Sequence, residues 1–208
     1  METNTKKSNK EILRDIYSPF FSLKSAKRFD AGEGHLSETA TLYMGKKRVA
    51  KFAHDGWSGE SYTTFVSDDV KNDVHAKIDE LDLRRVLLEG DYSFMDTIDE
   101  VTYDTVLDAI NADMMNLAEQ QKEDKKRVAK IKKQVVKGFV FTSGDSTFTM
   151  LFKEPMIDVA KKYKNGLEVL QSSYDKTVAE MKASVAKNGV EPVFHNDLEE
   201  LKALGIKV

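Results

Sequence analysis

The chain has 208 residues, of which 40% are hydrophobic and 32% charged, with a formal net charge of -3 and no cysteine. That length suits one large domain, or one domain with a helical extension. The missing cysteine excludes a disulfide framework, a thiol nucleophile and thiolate metal sites, and the small negative charge argues against global attraction to nucleic acid.

The opening residues METNTKKSNKE are polar, lack the apolar core of a secretory signal and are expected to be disordered through residue 8. Asn9 is placed to cap a short helix with Ile12, Leu13, Ile16 and Tyr17 on its apolar side, and Pro19 ends it. FFSLKSAKRF (20–29) reads as a first strand, followed by Gly32 and Gly34. In ETATLYM (38–44), Ala40, Leu42 and Met44 alternate with Thr39, Thr41 and Tyr43, the period of a half-buried strand. Gly45-Lys46 supplies a tight turn, RVAKFA (48–53) returns as the partner strand, and the loop HDGWSGES follows.

Ser67 is a good N-cap, with Asp68 and Asp69 beside the positive end of the helix dipole. Val70, Val74, Ile78, Leu81 and Leu88 share one face of a helix that Gly90 is placed to end. Ser93 with Asp96 is a weaker relative of the capping box and opens a long helix near 94–134. Its stripe runs through Tyr103, Leu107, Ile110, Met114 and Leu117, then Val128, Ile131 and Val135, with Gln121 and Asp124 at the intervening positions. The helix therefore either leaves the core near Gln121 or breaks there. An unbroken helix of that length suggests a projecting arm or a homodimer seam.

VVKGFVFTSGDSTFTMLF (135–152) is a hairpin that turns at Ser143–Ser146. Beyond Pro155 the chain reads as helical: Leu167, Leu170, Tyr174, Val178, Met181 and Val185 form a stripe that Gly189 stops, and Asn196 with Glu199 is placed to cap a last short helix. The order of elements favours an α+β fold, in which a small antiparallel sheet of the N-terminal strands plus the hairpin packs with helices. The expected organisation is a flexible or short-helix N-terminus (1–18), an α+β core (19–155) and a helical C-terminal region (156–208).

The segment SETATLYMGKKRVAKFAHDGWSG resembles a family of small uncharacterised tailed-phage accessory proteins. Members show an E-T-x-x-F/A-x-A-x-x-Y-x-x-G-K-K/R run, a small-residue strand and an N-D-G-x-G-G loop. Glu38, Thr39, Tyr43, Gly45, Lys46, Asp55, Gly56 and Gly59 match in type and order, with Tyr43 and Gly45 closer to Glu38 than in that run; His54 stands where Asn is usual, and Ser58 where the first of two adjacent glycines is usual. The SFMDTIDEV helix start (93–101) and the basic run before the second hairpin are also similar. The resemblance implies an accessory protein of the infected host's cytoplasm that binds a host protein or nucleic acid and alters or blocks it, as counter-defence factors do. It carries over no catalytic residue.

The chemistry-bearing residues agree with a non-enzyme. His54-Asp55 is the nearest approach to a catalytic pair, but adjacent residues rarely face each other productively, and Asp-Gly is a turn former. His35, His54, His75 and His195 lack the close spacing of a metal site. There is no phosphate loop, and DDVKND (68–73) lacks the central glycine and terminal glutamate of a calcium loop. No catalytic residue, metal or cofactor is expected. Recognition is expected at His54, Asp55, Trp57 and Tyr62, with Trp57 either exposed as an anchor or folded over the sheet.

Charge is unevenly spread. Residues 68–108 carry 13 Asp or Glu against 4 Lys or Arg, whereas 122–137 carry 8 Lys or Arg against 2 acids. Lys125, Lys126, Arg127, Lys130, Lys132 and Lys133 are candidates for phosphate contact, although no aromatics interleave for base stacking. The same charges would also complement the acidic region, within a chain or across a dimer. The leading expectation is a host-protein-binding inhibitor; the alternatives are a nucleic-acid-binding protein and a virion or assembly component. No membrane association is expected.

Overall fold

The computed structural model describes residues 7–56, 61–90 and 97–208. The fold is α+β, as the element order indicated, and it divides into two compact units, Met1–Gln121 and Lys122–Val208.

In the first unit, helix α1 (Asn9–Tyr17) is capped by Ser8 and not by Asn9. The Ser8 hydroxyl and the Glu11 carboxylate satisfy each other's backbone N–H groups in a capping box. Four strands then form an antiparallel meander in the order β1 (Phe21–Gly32), β2 (His35–Met44), β3 (Lys47–His54) and β4 (Ser61–Phe65). The β2 alternation holds, since Ala40 and Leu42 face inward at 5% and 0% exposure. Strand β4 was not legible in SYTTF, a short run with an exposed polar face.

The expected single helix over 68–89 is two. Helix α2 (Asp68–Glu80), capped by Ser67, ends at Leu81, and Asp82 adopts a left-handed conformation (φ 54°) before α3 (Leu83–Glu89). The first core gathers Leu13, Tyr17, Leu42, Val74, Ile78, Leu83, Leu87, Leu107 and Ile110.

Helix α4 (Tyr103–Val135) starts later than the expected residue 94, after a short 3-10 turn at Ile98–Glu100. Thr102 caps it, its hydroxyl accepting from the Thr105 N–H at 3.1 Å. The Ser93 cap falls outside the described residues. The helix is continuous through Gln121 and Asp124, and residues 120–126 are all exposed. Strong helix formers and a Lys126–Glu123 pair at 3.0 Å support this stretch without a core to pack on. Val128 is 51% exposed, so the buried position of the last turns is Ile131.

In the second unit the hairpin is β5 (Gly138–Ser143) and β6 (Ser146–Leu151), and a short β7 (Val193–Phe194) pairs on the other side of β5. The order is β6-β5-β7, a second sheet separate from the first. Helices α5 (Met156–Lys162), α6 (Gly166–Asn188) and α7 (Leu198–Ala203) complete the unit. Phe139 packs with Leu170, Met156 and Leu201, so the hairpin shares its core with the C-terminal helices. For this reason the boundary between units lies within α4 rather than near residue 155. Asn196 does not cap α7; Asp197 does, accepting from the Glu199 and Glu200 N–H groups. Asn196 is instead buried, accepting from the Val140 N–H at 2.9 Å and donating to the Gly138 carbonyl at 2.8 Å.

Candidate functional site

The segment singled out by sequence frames a cleft in the first unit. Its register is Glu38 opposite His54 and His54 opposite Ser61, with Ala40 opposite Phe52 and Phe52 opposite Thr63. Opposed residues of an antiparallel pair point to one face, and neighbours along a strand alternate. Glu38, His54 and Ser61 therefore share the face that carries the buried Ala40 and Phe52. That face meets α4, where Met115 packs on Ala40 and Phe52.

At the open end of this contact lies a cleft of about 510 Å3. Its polar lining comes from His35 and Glu38 of β2, His54 of β3, Ser61 of β4 and Asp108 of α4. Glu38 is held by Arg28, whose Nε donates to it at 2.6 Å, while the same guanidinium donates to the Asn116 side chain at 3.0 Å. Burial and the neighbouring Asp104 push the Asp108 carboxyl above its ordinary value, and His54 pulls it back. The His54 Nδ1 lies 3.4 Å from the Leu36 carbonyl oxygen, a long contact that fits the Nδ1–H tautomer.

The descending arm of the loop is pinned to β2. The Ser37 hydroxyl donates to the Asp55 carbonyl at 2.6 Å. Gly56 has φ 81°, and a Cβ there would sit 2.7 Å from the Leu36 carbonyl oxygen, so only glycine fits this approach. Donors and acceptors fixed around an open cleft suit recognition of a polar group by hydrogen bonding.

The structure separates the expected recognition residues. His54 lines the cleft, and Asp55 is exposed just beyond it. Tyr62 pairs with Ala53 and so points from the opposite face of the sheet, half exposed. Trp57 lies outside the described residues. His35 and Asp108 join the site although the sequence did not single them out as a pair. Asp108 lies next to the apolar stripe of α4, and only the tertiary fold brings it to His54. Among the described residues, no group of three or more His, Asp or Glu side chains is placed to hold a metal.

The basic residues lie on the last turns of α4, in the second unit. Arg127 turns inward: it is partly buried and donates to the Gly144 carbonyl at 3.2 Å, and its charge lies near His195. Lys125, Lys126, Lys130, Lys132 and Lys133 are exposed, spread over the arc opposite Ile131 at helical spacing. No family model matches the chain, and neither a curated protein nor a solved structure is significantly similar to it. Among the described residues no helix is long and apolar enough to cross a membrane.

Proposed function

We propose that the chain is a non-enzymatic bacteriophage accessory protein that binds a host protein in the infected cytoplasm, one serving defence or regulation, and inhibits it. The observation that carries this reading is that the segment resembling phage accessory proteins ends on the cleft, placing His54 beside Asp108 of α4. The cleft offers fixed hydrogen-bonding groups and an apolar floor at Phe52, a pairing suited to a protruding polar side chain of a partner. The test is capture of host proteins by the tagged chain and by a His54→Ala/Asp108→Asn variant, together with phage plating on cells that express either. A host protein retained by the parent and lost by the variant, with a matching change in plating, supports the reading. Equal recovery by both, or no effect on host or phage, overturns it.

A second reading, nucleic-acid binding, draws on the exposed lysine arc. It requires binding to a labelled duplex or single strand at low salt that weakens as salt rises. Binding must weaken further in a Lys126→Glu/Lys130→Glu/Lys133→Glu variant. No binding at low salt removes it.

A further inference from the structure

Among the described residues, no strand pairs with the outer edge of the second sheet. Strand β6 is its terminal strand, and all of its residues except Met150 are exposed. Its sequence, STFTML, has no charge and no proline, and it lacks the lysines and bulges by which natural edges avoid pairing. The opposite edge, β7, is only Val193–Phe194.

The ladder shows which backbone groups face outward. The Phe152 N–H bonds the Lys137 carbonyl at 2.8 Å, and bonded and non-bonded pairs alternate along an antiparallel ladder. Ser146, Phe148 and Met150 therefore bond toward β5, whereas Thr147, Thr149 and Leu151 present their N–H and C=O groups away from it.

We propose that β6 is a homodimerisation edge, pairing antiparallel with β6 of a second copy about a two-fold axis through Thr149. Charge selects this register. Directly opposed residues must share a face, so a two-fold must pass through a residue and not between two. Centring on Thr149 places Asp145 of one copy opposite Lys153 of the other, at both ends of the paired strands. Among the described residues neither side chain has an ion-pair partner in its own chain, and both are exposed. Centring on Phe148 or Met150 sets each charge against an uncharged residue. In the Thr149 register the outward groups also match: Thr149 exchanges both bonds with its counterpart, and Thr147 does so with Leu151. Phe148, which stacks on Phe141 at 4.7 Å between ring centres, meets the second copy's Met150 on the same face and extends the apolar strip across the two-fold.

The test is sedimentation equilibrium of the full chain over a wide concentration range. The parent chain dimerises reversibly. Asp145→Lys alone and Lys153→Asp alone each set like charges opposite each other at both ends and weaken the dimer by about tenfold. An equimolar mixture of the two variants restores it, because both ends are then complementary. Thr149→Pro abolishes the dimer while leaving the circular dichroism unchanged, since among the described residues the Thr149 N–H has no backbone partner. Thr149→Cys, the only cysteine in its chain, forms an intermolecular disulfide under mild oxidation. A monomer at the highest concentration overturns the proposal. So does a dimer indifferent to Thr149→Pro, or a pair of weakened charge variants that the mixture does not rescue.

Discussion

The guanidinium of Arg14 grips the carboxylate of Asp113 with two hydrogen bonds, at 2.9 and 2.6 Å, tying α1 to α4. The Tyr17 hydroxyl donates to the same carboxylate at 2.5 Å, and Tyr17 and Asp113 are 1% and 9% exposed. Arg14 holds the Asp113 carboxyl below its ordinary value, and burial together with the Asp113 hydrogen bond raises the Tyr17 hydroxyl well above its own. Asp113→Ala leaves both donors without their acceptor and is expected to cost about 3 kcal/mol. Tyr17→Phe removes one bond and costs about 1 kcal/mol. Urea denaturation of the variants measures both.

Acid acts in two stages. His75 stacks on Tyr103 with ring centres 3.9 Å apart, and burial, its largest influence, lowers its proton affinity; burial does the same to His195. A histidine depressed in the fold favours the folded state above its unfolded value of 6.5, and that contribution is lost as pH falls through the folded value. Asp113, depressed from 3.8, adds a second loss at lower pH by the same sign. Melting temperature is expected to fall in two steps on acidification, the first absent from a His75→Phe/His195→Phe variant.

Asn111 is fully buried on α4, and among the described residues its side-chain amide has no hydrogen-bonding partner. Asn111→Leu keeps a similar volume and removes the desolvated amide, and is expected to raise stability by about 1 kcal/mol. A shift of the urea midpoint to higher concentration checks it; a fall would mean the amide is satisfied.

Gly56 tests how the cleft is kept open. Gly56→Ala forces a Cβ against the Leu36 backbone at a positive φ and is expected to destabilise the chain by about 1–3 kcal/mol. Partner binding should weaken beyond what that instability explains, read as a loss of affinity at a temperature where both chains are folded.

Because His54 and Tyr62 leave β3 and β4 on opposite faces, their effects are separable. A partner seated in the cleft is weakened by His54→Ala and not by Tyr62→Ala. Equal losses from both would place the contact around the sheet end instead. Titration of the captured partner against each variant distinguishes the two outcomes.

Legibility in the sequence followed the strength of local physics. The β2 alternation, the Gly45 turn, the Ser67 cap and the 143–146 hairpin turn were all visible, because each is set by residues within a few positions. The α2–α3 break was not, since it depends on Asp82 accepting a left-handed conformation that its sequence does not demand. Asn196 reads as a cap because asparagine is a good one. Its buried bonds to β5 depend on long-range pairing that spacing cannot express. The cleft was half legible: His54 announced itself by its loop, whereas Asp108 becomes meaningful only when α4 lies across the sheet.

The exposed middle of α4 makes the chain divisible. Residues 120–126 are all exposed on the helix, and Lys122, Lys125 and Lys126 are cleavage points for a lysine-directed protease. A single cut there leaves the four-stranded sheet and its cleft in one length of chain and the sheet with the open edge strand in the other.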